Sequence, residues 1–251
     1  MARLNRCHNI ADFRKVAKRR LPTSLFNYIE GAADDEETSH ANKAGFRNHQ
    51  LAPRYVRDVT KVNLTCTVLG AQLDWPLILA PTGMNRMFHP DGEIAVARQA
   101  ARTGACYALL TMATESIETI ARESAGPKIY QLYLMADDRL NLESIDRARA
   151  AGFDAICLTV DTIVPGNRER DLRSGLTVPP KLTLASLADF AMHPQWCIQY
   201  GLGGRFTLPN IATGSSGNIS TLAAFFASEM ENNITWARVE KLIEYWGKPF
   251  A

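Results

Sequence analysis

The chain has 251 residues, 46% of them apolar and 22% charged, with a formal net charge of +2. That balance suits a packed globular protein, excludes a disordered one, and gives no electrostatic case for binding nucleic acid. Five widely spaced cysteines (Cys7, Cys66, Cys106, Cys157, Cys197) argue for reduced thiols and against a disulfide framework. No apolar run has the length to span a bilayer, and the N-terminus lacks a signal peptide's apolar core. Residues 1–20 hold seven Arg/Lys and one acid. Organellar transit peptides share that bias, although a surface helix with a basic face is the plainer reading.

In chain order, Asn9 can cap a first helix with Ile10, Phe13, Val16 and Ala17 on one face. Pro22 restarts the chain into a second helix with a Leu25, Tyr28 and Ile29 stripe, stopped by Gly31, and a third helix follows the acidic run Asp34–Glu37. From Lys61 the period becomes two: Val62, Leu64, Cys66 and Val68 alternate with polar residues, Gly70 turns, and Leu73 returns. This predicts a hairpin, placed as a lid on the bottom of a barrel. Strand candidates follow at Leu77–Ala80, Ala105–Leu110, Ile129–Leu134 and Ala155–Val160. Between them lie helical patterns at Glu93–Arg102, Ser116–Glu123 and Leu140–Ala151, the first and last ending at Gly104 and Gly152. Strand, helix, strand at this spacing predicts βα units on a parallel sheet. Residues 179–232, rich in Gly, Ser, Thr and Asn, read as one long loop. Within it Leu182, Leu184, Leu187, Phe190, Ala191 and Met192 could form a short amphipathic patch that touches a membrane, although a mobile active-site loop is the plainer reading. A last helix spans Trp236–Trp246, and Lys248–Ala251 reads as the start of a fifth strand.

The familiar nucleotide signatures are missing: Gly201-Leu202-Gly203-Gly204 does not follow a strand, and Gly214-Ser215-Ser216-Gly217 lacks a following Lys-Ser/Thr. No Cys/His spacing suggests a metal, and none of the five histidines falls at the C-terminal end of a strand. In a parallel α/β fold that end is where sites are built. Here the strand ends carry Pro81-Thr82-Gly83, Thr111, Gln131 with Tyr133, and Thr159 with Asp161. Beyond the fourth strand lies the charge cluster Arg168, Glu169, Arg170, Asp171 and Arg173. Period two puts Gln131 and Tyr133 on one face. Uncharged donors around a pocket suit a heteroaromatic cofactor with polar edges, and Arg with Tyr suits a carboxylate substrate.

The segments NYIEGAADDEET, LAPTGMNRMFHPDGE, QLYL, LTVDT and GNRERDLR, five motifs in order between Asn9 and Ala251, together resemble the FMN-dependent 2-hydroxy acid dehydrogenase/oxidase family. That family includes L-lactate dehydrogenase (cytochrome), mandelate dehydrogenase and glycolate oxidase. The resemblance implies an α/β fold, a TIM (β/α)8 barrel. This chain would cover a helical lead-in (1–50), a hairpin (60–75), the first four strands (76–178), the long loop (179–232), and a helix with the start of strand five (233–251). It implies FMN resting on Pro81, Thr82 and Gly83, with Thr111, Gln131 and Thr159 on the flavin's pyrimidine side. Tyr28 would bind the substrate carboxylate, Tyr133 the substrate hydroxyl, and Arg168 would stabilise developing negative charge. The implied chemistry is oxidation of a lactate-like L-2-hydroxy acid to the 2-oxo acid, with a quinone, a cytochrome or oxygen as electron acceptor. Gly83 lies where the family varies between Gly and Ala.

The family's strand-five lysine would fall just beyond Ala251, and its base histidine, second arginine and phosphate-binding segment have no counterpart here. The chain is therefore expected to be the front part of a longer, homo-oligomeric enzyme, inactive as written, and cytoplasmic with peripheral contact to the inner membrane through 181–232. The competing expectation is a non-catalytic half-barrel that pairs with a copy of itself or with another half.

Overall fold

The computed structural model describes residues 4–162, 164, 166–175, 183–202, 206–211 and 233–251. They form two compact units, 1–63 with 165–197 and 64–164 with 198–251.

The second unit is built on a parallel sheet. Strands β3 (Ile78–Leu79), β4 (Cys106–Leu110), β5 (Lys128–Tyr133) and β6 (Ala155–Thr159) pair in sequence order, with Ile78 opposite Cys106, Leu110 opposite Gln131, and Tyr133 opposite Thr159. Helices α4 (Gly92–Arg102), α5 (Ile117–Glu123) and α6 (Asp138–Ala150) connect them. One face of the strands, Tyr107, Leu109, Tyr130, Leu132 and Ile156, packs with Ala97, Ala100, Ile117, Ile120, Ile145 and Ala148 of the helices and with Phe153. The other face starts small, with Cys106, Ala108, Ile129 and Ala155 packed under Ala71 and Leu73. Those two residues belong to the hairpin β1 (Cys66–Val68) and β2 (Ala71–Leu73), which therefore covers the N-terminal end of the sheet's inner face.

Glycine punctuation works as the sequence implies: Gly104 and Gly152 follow α4 and α6 with φ of +67° and +73°, a region costly for residues with a Cβ. Helix α6 starts earlier than its apolar pattern because Asp137 caps it, accepting from Arg139 N at 2.9 Å. The final helix, Trp236–Trp246, ends at Gly247 with φ of +66°. After it Phe250 bridges Ile156 in parallel, and Leu158 N donates to Ala251 O at 2.8 Å, so a fifth strand begins beside β6.

Two expectations need correction. The alternation from Val62 does not make a long strand: only Cys66–Val68 pairs, while Val62 and Leu64 stay exposed. The partner strand runs out after Leu73, where Asp74 N turns away to Gly104 O and Pro76 interrupts the ladder. Similarly β3 is confined to two residues between Pro76 and Pro81.

Residues 179–232 are not one irregular loop. Helices α8 (Leu184–Ala191) and α9 (Pro194–Leu202) lie within it. Thr183 and Ser186 form a reciprocal capping box for α8, and Pro194 opens α9, where its missing N–H costs nothing. Residues 206–211 are pinned to α5 and α6. Asn210, 2% exposed, accepts from Ile117 N at 3.0 Å and donates to Glu115 O at 2.9 Å, and Arg147 donates to Pro209 O at 3.2 Å. Leu182 and residues 212–232 lie outside the described residues.

The first unit holds α1 (Ile10–Arg20), α2 (Thr23–Glu30), α3 (Glu37–Gly45), the six-residue α7 (Glu169–Ser174) and α8. Asn9 caps α1 as expected, accepting from Asp12 N at 2.9 Å. Asp189 of α8 accepts from Thr23 N at 2.6 Å and from Thr23 Oγ1 at 2.8 Å.

Asn210→Ala strips hydrogen bonds from the buried Ile117 amide and the part-buried Glu115 carbonyl and should destabilise the fold by about 1–3 kcal/mol. Urea unfolding reads the loss, and amide exchange should accelerate first at 206–211 and Ile117; an unchanged exchange pattern would refute the pinning.

Candidate functional site

The C-terminal ends of the strands gather most of the residues singled out from the sequence. Gln131, 1% exposed, sits on the inner face of β5, two residues beyond Ile129. A buried carboxamide must find partners or pay its desolvation. Its Oε1 accepts from Thr111 N at 3.2 Å and its Nε2 donates to Thr159 Oγ1 at 2.6 Å. Thr111 Oγ1 donates to Gln131 O at 2.7 Å and accepts from Tyr133 N at 3.1 Å. The ends of β4, β5 and β6 are thus laced by one polar row, Thr111–Gln131–Thr159.

The row leaves an uneven residue of capacity. The Thr111 hydroxyl already donates once and accepts once, so it acts mainly as a strut between strands. Thr159 accepts from Gln131 and keeps its own proton to donate, and Gln131 keeps its second amide proton. Beside the row, Pro81–Gly83 passes close to the end of β4. A Cβ on Gly83 would lie 2.5 Å from Leu110 Cδ2 and 3.1 Å from Met112 O. The next residue, Met84, adopts φ of +55° and donates its N–H to Met112 O at 3.0 Å.

Tyr133 is half-buried and packs against a cluster of Met135, Leu208 and Ile211, with Met84, Met112, Leu140 and Phe206 around it. Phe206, Leu208 and Ile211 were absent from the sequence reading because nothing in a Gly/Ser-rich stretch signals where the chain will dock.

In the first unit, Tyr28 of α2 and Arg168 come together despite a separation of 140 positions in sequence. The guanidinium lies over the Tyr28 ring, 5.0 Å from its centroid, and Nη2 donates to the Tyr28 carbonyl. Arg168 Nε donates to Asp171 Oδ2 at 2.5 Å, one turn further along. The surrounding backbone joins too: Asp34 N donates to Asn167 O at 2.9 Å, Asn167 Nδ2 to Asp34 Oδ1 at 3.0 Å, and Arg170 Nη2 to Glu36 Oε2 at 2.6 Å. Burial pushes the Tyr28 phenol above its ordinary value; Arg168 opposes that shift and Asp171 adds to it. The phenol is therefore a hydrogen-bond donor at neutral pH. Asp171, buried to 6% exposure, had appeared in the sequence only as one charge in a cluster. Its signal was the three-residue spacing from Arg168.

A sheet of βα units with a polar row, a close glycine shelf and aromatic neighbours at its C-terminal ends defines a cofactor-binding α/β protein. The family profile described as FMN-dependent dehydrogenase matches residues 17–251. The chain is 42% identical over 195 residues to a protein assigned as an L-lactate dehydrogenase in Mycobacterium tuberculosis, covering 77% of this chain and 47% of that protein. Glycolate oxidase 1 of Oryza sativa subsp. indica is 34% identical over 234 residues, 93% of this chain and 58% of that one. A solved structure of the monotopic membrane protein (S)-mandelate dehydrogenase superposes with a TM-score of 0.91 at 30% identity, over 97% of this chain and 65% of that chain. The chain belongs to the FMN-dependent 2-hydroxy acid dehydrogenase family, whose cofactor is FMN, and its fold is part of that family's α/β barrel. It spans roughly half the length of the curated relatives named here.

The residues present fit the ring portion of FMN. The row keeps unspent donors at Gln131 and Thr159, and the backbone at Gly83 is too close to Met112 O for a side chain to intervene without adjustment.

Arg168→Met should cost about 1–3 kcal/mol, because it leaves the Asp171 carboxylate buried and unpaired. The double variant R168M/D171N should recover most of that loss in urea unfolding, and failure to recover would mean the stacking on Tyr28 dominates. R168M should also raise the Tyr28 phenol further, read as the ultraviolet titration difference from the same variant carrying Tyr28→Phe.

Proposed function

We propose that this chain supplies the flavin-facing and substrate-facing front of an enzyme that oxidises a lactate-like L-2-hydroxy acid to its 2-oxo acid. The observation that carries the reading is the Thr111–Gln131–Thr159 row, which holds unspent donors in fixed register at the strand ends. Gln131 and Thr159 would meet the flavin's pyrimidine edge, with Thr111 fixing them and contributing its hydroxyl. Pro81, Thr82 and Gly83 would form the shelf under the ring. When bound, FMN takes up the two electrons released by the hydroxy acid.

Tyr28 and Arg168 serve the substrate. A planar guanidinium held at Nε and Nη2 presents its charge in one orientation, which suits a carboxylate and the negative charge that develops on the reacting oxygen. The Tyr28 phenol, kept protonated by burial, donates to the carboxylate. Tyr133 donates to the substrate hydroxyl oxygen. None of the five histidines occupies a strand end, and lack of a general base alone costs a factor of about a hundred to ten thousand. We take the 251-residue chain by itself to be inactive. The rest of the site would come from residues its relatives possess beyond the matched portion, in a homo-oligomer.

Peripheral contact with the inner membrane from the cytoplasmic side is part of this proposal, through residues 181–232, with a quinone, a cytochrome or oxygen as acceptor. Leu184 and Leu187 on α8, Met192 just after it, and Ile198 and Leu202 on α9 are exposed, and the superposing (S)-mandelate dehydrogenase is a monotopic membrane protein. No helix among the described residues is long and apolar enough to cross a membrane. The second reading, a self-associating half-barrel, draws on an apolar cleft of about 490 Å³ lined by Leu158, Val160, Val239, Ile243 and Phe250.

The test is gel filtration with FMN of the chain alone and of a chimera continued after Ala251 with the remaining residues of (S)-mandelate dehydrogenase. The chain alone should elute with little flavin. The chimera should retain flavin and be bleached by L-lactate or L-mandelate, with Gln131→Ala lowering retention. A folded, flavin-loaded chimera that no 2-hydroxy acid reduces would overturn the proposal, and a colourless, monodisperse dimer of the chain alone would favour the half-barrel.

A further inference from the structure

Glu93 is fully buried at the start of α4, and the flavin and substrate roles above leave it unassigned. Three donors converge on it. Its Oε1 accepts from Asn85 N at 3.2 Å and from Thr114 N at 2.9 Å, and its Oε2 accepts from Thr114 Oγ1. Asn85 lies in the segment that leaves the Pro81–Gly83 shelf, and Thr114 lies in the segment that leaves Thr111. Two further bonds run between the same segments: Met84 N to Met112 O at 3.0 Å, and Arg86 N to Thr114 Oγ1 at 3.4 Å. Glu93 therefore joins, by a single side chain, the two loops that follow β3 and β4.

A helix start normally leaves its acidic side chains in water, where they interact with the helix dipole. Burying one is costly unless its oxygens are satisfied. Here they are satisfied by backbone and hydroxyl donors from two other segments, so the cost of burial is offset only while both loops hold their places. Beside this clamp Met84 is held at φ of +55°, a strained setting for a residue with a side chain, and the Gly83 shelf precedes it directly.

We propose that Glu93 is a positioning residue. It fixes the Pro81–Gly83 shelf and the Thr111–Thr114 loop against each other before any ligand arrives, so that the ring-binding surface is pre-formed. This rests on the flavin reading for its purpose, but its physical content is a property of the flavin-free chain. The carboxylate acts here by geometry, since both amides go to the same oxygen. A glutamine offers that oxygen unchanged, and its amide nitrogen can donate to Thr114 Oγ1, with the hydroxyl reversing its role.

The experiment is amide hydrogen exchange, resolved by segment, on the flavin-free 251-residue chain and its variants Glu93→Ala, Glu93→Gln and Thr114→Val. In E93A, exchange at 83–86 and 112–114 should rise by about tenfold or more while β5 and β6 keep wild-type protection. E93Q should stay within about threefold of wild type, and T114V should fall between the two. Acceleration spread evenly over all strands in E93A would mean a merely stabilising buried acid, and E93Q behaving like E93A would mean that charge matters and geometry does not. Either result, or no change in E93A, overturns the proposal. Should E93A fail to fold, E93Q and T114V decide by the same criteria. An FMN titration of the same variants carried in the chimera continued after Ala251, read by flavin fluorescence, should weaken in E93A and T114V in step with exchange and be spared in E93Q. A titration that fails for every chimera, with the exchange pattern of the chain as expected, counts against the flavin reading and leaves the positioning role standing.

Discussion

One buried carboxamide sets the register on which the site depends. Parallel strands alternate their side chains between two faces, and a slip of one residue would send Gln131 into the apolar layer among Leu109, Leu132 and Ile156. There its two polar ends would be stranded at a cost of a few kcal/mol. In the observed register they meet Thr111 and Thr159, and the same register puts Cys106, Ala108, Ile129 and Ala155 under the hairpin. Small apolar residues at one end and satisfied polar residues at the other are consequences of one period-two pattern. The closed end contributes stability, and the polar end is where unspent donors remain.

A comparable constraint governs the loops above the strands. Met84 holds a positive φ there, and the backbone at Gly83 runs so close to Leu110 and Met112 that an added Cβ would clash. Glu93 satisfies the Asn85 and Thr114 amides beside them, and Asn210 satisfies the Ile117 amide and the Glu115 carbonyl, groups that the sheet does not reach. Both are buried polar residues, the type that costs most when a partner is lost. Rigidity in this region is therefore bought from buried hydrogen bonds, whereas the apolar contacts of Leu208 and Ile211 follow once those bonds have fixed the chain.

The sequence was most readable where a periodic signal had a partner of matching length. The parallel strands, the helices between them, and the stops at Gly104, Gly152 and Gly247 all emerge from alternation and glycine conformation, displaced by a residue or two. The alternation from Val62 misled because a strand is defined by its partner, and β2 has only three residues to offer. The stretch from Thr183 misled in the opposite sense: a composition rich in Gly, Ser and Thr over fifty residues concealed a capped helix and a second one opened by proline. Averaging over a long window erased two local signals that are strong at their own scale. Candidate residues at strand ends were readable for the same reason as the strands, since period two and strand direction together decide which side chains reach the rim. Asn210 and Glu93 were not, because what identifies them is burial and long-range partners.

The pairing of Tyr28 with Arg168 illustrates what long-range structure adds. Tyr28 looks like a member of a helical stripe, and Arg168 like one charge among five. Folding gives each a different character. Stacking on the phenol and bonding to Asp171 and the Tyr28 carbonyl remove most of the rotational freedom of the arginine, a side chain that otherwise loses up to about 2 kcal/mol of entropy when immobilised. The bonds that Asn167 and Arg170 donate to Asp34 and Glu36 then make the two segments one clasp. In the proposed role, a carboxylate ligand would meet a guanidinium and a phenol whose ordering cost had been met during folding. Surface ion pairs seldom repay that cost. This one is held by a buried aspartate, and that burial sets the arginine apart from the solvated charge run that the sequence alone suggests.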